Sequence, residues 1–282
     1  MSGIQGALER FLPVTLLLWG LAGAWFGLRL EERAMREDLA RPYRAALAGM
    51  REPYERNYAI VVNGKRAGKA LAAALPRKDG SFDLAARVEG RIYWMGARLE
   101  VRFFSSMHIT AAYELEALRM SLDAGGARYE ISGYARRQEA GGKKEIALTL
   151  SVGGEKVQSF TVPTKSLALS DSLMPLMKMG RPKPGKKWTT DMVEPLTGRV
   201  RTLEFRVLDE EELPDSKGKL RGYPVEMKSG DRIYTAWVDE AGDVLMEEVP
   251  LGFTLVREDV AALIYGPEEP RREDRNGRAD KD

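Results

Sequence analysis

From Tyr58 onward the apolar residues of this chain recur at every second position, and short glycine-rich clusters interrupt the pattern. A strand turns successive side chains to opposite faces, whereas a helix repeats every ~3.6 residues, so this period predicts half-buried strands. Tyr58, Ile60 and Val62 alternate, as do Leu99, Val101 and Phe103 with Glu100 and Arg102 between them. The same holds for Tyr129 with Ile131, and for Ile146, Leu148, Leu150 and Val152. Later come Leu203, Phe205 and Val207, then Ile233, Thr235 and Trp237, then Phe253 and Leu255. Turns fall between them at Asn63-Gly64, Lys78-Asp79-Gly80, Ala124-Gly125-Gly126, Gly141-Gly142, Gly153-Gly154, Ser229-Gly230-Asp231 and Glu240-Ala241-Gly242. Asn-Gly is a strong two-residue hairpin signal, because both residues tolerate positive φ. The expectation is a mainly β chain, an antiparallel meander with one wet and one buried face.

One apolar stretch departs from the alternation. Residues 169–179 are Met-rich, and Ser170, Asp171 or Ser172 can cap a helix there, so a short inserted helix is expected over about 170–179. Pro175 suits its first turn or kinks it. Residues 180–187 (GRPKPGKK) then form a breaker-rich linker. Strand groups over 55–163 and 187–257 therefore flank the helix, either as two units or within a single sheet.

The N-terminus has a different character. Residues 11–28 carry no charge, and eighteen residues make a helix of about 27 Å, close to a hydrocarbon core of about 30 Å. Phe11, Leu16, Trp19, Trp25 and Leu28 mark this expected transmembrane anchor, with Trp25 at the interfacial position. Two other readings stay open: a signal peptide cleaved near Ala22-Gly23-Ala24, and a buried core helix. The flanking arginines, Arg10 before the segment and Arg29, Arg33, Arg36, Arg41 and Arg44 after it, place the C-terminal side in the cytoplasm when counted literally. Large domains translocate largely regardless of such charges, and a chain without cysteine has nothing to misoxidise, so the expectation is a single-pass inner-membrane protein with a periplasmic domain. The expected organisation is a short tail (1–10), the span (11–28), a helical stalk (29–54), the β domain (55–265) and a disordered charged tail (266–282). The stalk is read from Leu28, Met35, Leu39, Tyr43, Leu47 and Met50 at helical spacing, divided by Pro42.

Composition narrows the chemistry. With 44 basic and 42 acidic residues the formal charge is +2, which offers no global electrostatic attraction for nucleic acid. Residues 183–187 are basic but flanked by Pro and Gly, and read as a solvated loop ahead of a phosphate site. His108 is the single histidine, and no cysteine is present, so a zinc site would have to be mostly carboxylate. The acidic run 209–212 lacks the spaced oxygen ligands and glycine of a calcium loop. No P-loop, nucleophile elbow or dinucleotide fingerprint occurs. The expectation is no catalytic residue, metal or cofactor.

What bland readings leave over is apolar. Trp94, Phe103, Met107, Trp188, Trp237 and Phe253 fall on expected strands, and Leu173, Met174 and Met177 on the inserted helix. Together they are either simple core or the lining of a cavity for acyl chains, where pliable Met side chains suit ligands of varied shape. One local pattern bears on this choice. After Trp188 and Tyr223-Pro224-Val225-Glu226-Met227, the chain runs Ala236-Trp237-Val238-Asp239, Gly242-Asp243-Val244-Leu245 and Pro250-Leu251-Gly252. With the opening Asn63-Gly64-Lys65-Arg66-Ala67-Gly68, this resembles bacterial envelope proteins related to the lipoprotein carriers LolA and LolB, over residues 55–257. The resemblance implies a mainly β half-barrel, an open, curved antiparallel sheet wrapped round a helix, with an apolar cavity for acyl chains and no catalytic residues. The apparent membrane anchor departs from the secreted carriers. The functional expectation is a non-enzymatic, membrane-anchored protein that binds a lipid, acyl chain or other apolar ligand. The alternative is an assembly subunit whose β face and stalk bind an envelope protein partner.

Overall fold

In the computed structural model, which describes residues 42–94, 97–136, 145–163, 168–169, 181–194, 199–249 and 252–266, glycine turns set the strand register. β1 (Tyr54–Val62) and β2 (Lys65–Pro76) meet at Asn63-Gly64, whose φ values of 50° and 72° are those of a hairpin turn matching strand twist. A meander continues through β3 (Phe82–Trp94), β4 (Ala97–Ile109), β5 (Leu115–Ala124), β6 (Ala127–Arg136), β7 (Glu145–Val152) and β8 (Glu155–Pro163). The second run comprises β9 (Ala168–Leu169), β10 (Lys187–Glu194), β11 (Arg199–Val207), β12 (Glu211–Glu212), β13 (Arg221–Ser229), β14 (Arg232–Val238), β15 (Val244–Val249) and β16 (Phe253–Arg257). Two helices complete the described chain, α1 (Pro42–Leu47) and α2 (Glu258–Tyr265).

All strands join one open, curved sheet of sixteen strands, which settles the choice between one unit and two. Its order is β8-β7-β6-β5-β4-β3-β2-β1-β16-β15-β14-β13-β11-β10-β9, with β12 paired to β13 off this path. Every pair is antiparallel except β9 with β10. The two runs are joined by the first and last strands: Tyr58 lies opposite Arg257, Ile60 opposite Leu255 and Val61 opposite Thr254.

The core face carries Tyr58, Ile60, Phe103, Met107, Leu118, Ile146, Leu148, Phe205, Val225, Phe253 and Leu255 in one buried cluster. Packing there uses absent side chains as well as present ones. A Cβ on Gly133 would collide with the Leu148 side chain, so the glycine gives that leucine its place. Gly68 faces Gly90 across β2 and β3, and a Cβ on Gly68 would strike the Glu89 carbonyl oxygen and the Gly90 Cα.

Two expectations change. One wet face does not describe β1, where Tyr58, Ala59, Ile60 and Val61 are all buried. Ala59 and Val61 belong to a second cluster with Trp237, Leu245, Met246 and Val256, covered by Val260 and Ala261 of α2 and by Leu213 of the loop before β13. Each buried Val, Leu or Met side chain in this cluster contributes about 1.5–3 kcal/mol. The solvent-projecting stalk also fails over its described part. α1 is only six residues long, Leu47 is fully buried in the core-face cluster, and Tyr43, Ala46 and Met50 pack against it. The apolar stripe read as a stalk is thus, in these residues, a face that docks on the sheet. The rest of the stalk, the span at 11–28, the inserted helix at 170–179 and the tail beyond Gly266 lie outside the described residues. Among the described residues no helix is long and apolar enough to cross a membrane.

α2 is held at its start by charge as well as by packing. The Arg257 guanidinium donates to both carboxylate oxygens of Asp259 (2.7 and 3.0 Å) and to Asp239 in the β14–β15 turn (3.2 Å). Burial works to raise the Asp259 pKa, but the hydrogen bonds and charge of Arg257 outweigh it and hold the carboxyl below its usual range. A depressed folded-state pKa gives stability that is present above the unfolded value of about 3.9 and is lost as pH falls through the folded value. Asp259→Asn should therefore flatten the loss of stability below about pH 4, measured as urea midpoint against pH, while Asp79, Asp83 and Glu89, also depressed, keep some slope. An unchanged slope would remove Asp259 from the acid response. Gly68→Ala should lower stability by about 1–3 kcal/mol, because backbone rather than a yielding side chain meets the new methyl. A urea midpoint equal to that of the unmodified protein would show that β2 and β3 separate at no cost.

Candidate functional site

Strand register assembles a row that sequence alone leaves scattered. Trp188 lies opposite Phe205, Phe205 opposite Met227, and Met227 opposite Tyr234, so one side chain from each of β10, β11, β13 and β14 lines up on the core face. Phe205 and Met227 are buried, whereas Trp188 and Tyr234 at the two ends are half-buried. The rings of Trp188 and Phe205 stack with centroids 4.9 Å apart and planes 3° from parallel. The Lys186 ammonium sits 5.4 Å from the Trp188 ring centre, a cation–π contact at the end of the row. Flat rings and a flexible thioether offer a hydrocarbon chain broad contact with few polar groups to desolvate.

The sequence candidates divide among several places. Phe103, Met107 and Phe253 are buried on the core face, and the Tyr43 hydroxyl of α1 donates to the Met107 sulfur at 3.7 Å. Trp188 belongs to the row. Trp237 lies on the opposite face with α2, its indole N–H donating to Glu211 at 3.2 Å, so it does not converge with the others. The reason is parity: Ala236 and Val238 take the core face, and Trp237 between them cannot. Trp94 ends β3 opposite Ala97. Leu173, Met174 and Met177 lie outside the described residues, as do Phe11, Leu16, Trp19, Trp25 and Leu28. Phe205, Met227 and Tyr234 were missed as site residues. Their alternation marks them as strand residues, but only the cross-strand register puts them side by side.

Polar chemistry lies elsewhere. His108 Nδ1 is 2.8 Å from an Asp83 oxygen and its Nε2 is 3.4 Å from Glu116. Burial tends to raise the Asp83 pKa, but His108 and Arg77 bonded to it hold it below the ordinary range. Both carboxylates are exposed, and the arrangement reads as a surface ion cluster. On the core face, Glu247 is buried opposite Leu255 and Ala236. The Tyr58 hydroxyl is buried beside that of Tyr54. Burial, then the neighbouring Tyr54 and Glu247, push its pKa far above that of a free tyrosine.

A groove of about 950 Å³ lies between the β2–β4 surface and the end of α2. A bulge at Ala67 shifts the β1–β2 register, so Arg66 opposite Val61 and Lys69 opposite Ala59 share one face despite their odd separation. Arg66 pairs with Glu258, Arg91 with Glu100, and Glu89 with Arg87 outside the groove, while Lys65, Lys69 and Arg102 also line it. Among the described residues no group of three or more His, Asp or Glu side chains could hold a metal ion.

A crystal structure of a β-barrel-like protein of the domain of unknown function DUF1849 from Brucella abortus is similar over 73% of this chain and 95% of that one, with TM-score 0.47 and 12% identity. A DUF1089 family protein from Pseudomonas aeruginosa is similar over 72% of this chain and 91% of that one, with TM-score 0.32 and 14% identity. No family model and no curated protein matches the chain. None of these findings shows a relationship specific to the lipoprotein carriers, and neither likeness says what the chain binds.

The two ends of the stacked pair should respond differently to truncation. Phe205→Ala, which opens a cavity in the buried cluster, should cost about 3–5 kcal/mol of unfolding free energy. Trp188→Ala, at the half-buried end, should cost clearly less in the same urea titration. Equal losses would mean that Trp188 is core and not part of an accessible surface.

Proposed function

We propose that this chain is a non-enzymatic, membrane-anchored envelope protein that binds a lipid, acyl chain or other apolar ligand along the Trp188–Phe205–Met227–Tyr234 row. The row carries the reading, because it is an apolar track ending in two half-buried aromatic side chains. An accessible aromatic end costs stability if left in water, and an apolar ligand relieves that cost. The uncharged segment 11–28 supports attachment to the inner membrane, and the absence of cysteine is compatible with a periplasmic domain. The lipoprotein-carrier resemblance supports the same ligand class, with anchoring in place of free shuttling. No cofactor and no nucleic acid enters this reading.

A second reading rests on a different observation. Among the described residues β8 ends the sheet, with Val157 62% exposed, and Tyr134 on β6 is 66% exposed. An unpaired edge beside exposed apolar side chains suits a protein partner, as an assembly subunit would require.

The test is uptake of cis-parinaric acid, a fluorescent acyl chain, by the delipidated full-length protein held in nonionic amphipol. Saturable binding is expected, weakened about tenfold by Trp188→Ala. Non-saturable partitioning that the substitution leaves unchanged would sink the ligand reading and favour the assembly subunit.

A further inference from the structure

Among the described residues β9 and β10 are the one parallel pair, so the chain between them must return from one end of β10 to the other. We infer that this connection crosses the core face and docks residues 170–180 on its Trp188–Leu203 end. The occupant is a segment of this chain that lies outside the described residues, and its docking does not depend on ligand binding.

Length and end points set the path. Leu169 ends β9 beside Val193, whereas β10 begins six residues earlier at Lys187, a strand distance of about 20 Å. The seventeen residues 170–186 cover that distance in reverse, over one face of the sheet or the other. Parallel neighbours need a crossover of about a dozen residues or more, which this connection supplies.

Chirality decides the face. Val207 is buried on the core face, and both its backbone groups point to the β10 side. Its N–H donates to the Lys186 carbonyl (3.0 Å), and its carbonyl accepts from the Gly185 N–H (2.9 Å). An L-residue seen from its side-chain side, in a strand running upward, turns its N–H and C=O to the right. Viewed from the core face, β10 therefore lies to the right of an upward β11. Turned so that β10 runs upward, the same view has β11 on its right and β9 on its left. A path from β9 to β10 is then right-handed only when it passes in front, over the core face. Crossovers between parallel strands of one sheet are right-handed in about 98% of cases.

Side-chain chemistry favours the same face. The core face of β10 and β11 presents Trp188, Leu203 and Phe205. The opposite face presents Lys187 across from Arg206 and Thr189 across from Glu204, all exposed. Residues 170–180 carry Leu173, Met174, Leu176, Met177 and Met179 against one acid, Asp171, and one base, Lys178. Docked on Trp188 and Leu203, such side chains remove apolar surface from water; docked on Lys187 and Arg206, they would strip water from charges. Flexible Met side chains also fit the uneven surface of a ring beside a leucine. Tyr234, three strands and about 14 Å from Trp188, is left to an apolar ligand.

The chain has no cysteine, so introduced pairs report without background. The full-length protein in nonionic amphipol is made as M174C/L203C and M174C/E204C, and as the same two pairs with M177C, then treated with a short bismaleimide. Leu203 and Glu204 are sequence neighbours on opposite faces, so chain distance affects both pairs alike. The Leu203 pairs should link about tenfold more, read by peptide mass, because a short linker cannot reach through the sheet. Photo-reactive p-benzoylphenylalanine in place of Met177 tests the same contact with the sheet unmodified, and its adducts should fall on Trp188, Leu203 or Phe205. Adducts on Lys187, Thr189 or Glu204, or Glu204 pairs that link as well as the Leu203 pairs, would overturn the inference. No link or adduct to β10 or β11 from either position would overturn it too, by removing residues 170–180 from this part of the sheet.

Discussion

The pairing of β1 with β16 is the contact on which the rest of the sheet depends. It brings Tyr58 to Arg257 and Ile60 to Leu255, joining residues at opposite ends of the β region. Without it there would be two separate meanders, each with a long bare edge. The pairing is non-local, so its loop-closure entropy must be met before other contacts reward it. Burial of β1 on both faces offsets that cost. Tyr58 and Ile60 enter the core-face cluster, while Ala59 and Val61 are sealed by α2 and the loop carrying Leu213. The Arg257 contacts to Asp239 and Asp259 then hold α2 in position over this seam.

Sealing the second face at the seam leaves the two wings of the sheet free to differ. The β2–β4 surface carries charges of both signs, and its groove beside α2 is lined by five cations and three carboxylates. The β10–β14 wing carries the aromatic row on its core face. That difference between the wings is the feature a function must explain.

The alternation of apolar residues made the strands legible, and the glycine clusters made the hairpins legible. Asn63-Gly64, Gly125-Gly126 and Gly153-Gly154 all adopt the positive φ their composition demands. The site was legible only in fragments. Trp188 stands out as a large residue on a strand, yet its partners Phe205, Met227 and Tyr234 are separated from it by up to 46 positions of chain. Trp237 is as conspicuous in sequence as Trp188 but points to the other face, because parity within β14 decides its side. The stripe through Tyr43, Leu47 and Met50 was read correctly as apolar and helical, but nothing local says what it packs against.

Local chemistry by itself determined the class of this domain. Period-two burial and turns that need left-handed backbone are properties of neighbouring residues, so they require no knowledge of the fold. Which strands meet was decided only by tertiary structure, since register depends on contacts between distant segments and a shift of one residue exchanges the faces. That is why the single sheet, the covered second face over β1 and the row at Trp188 emerge only when the chain is folded. The like-charged pair of Lys187 and Arg206 belongs to the same category: nineteen positions separate the two residues in sequence, and the β10–β11 hairpin alone makes them neighbours.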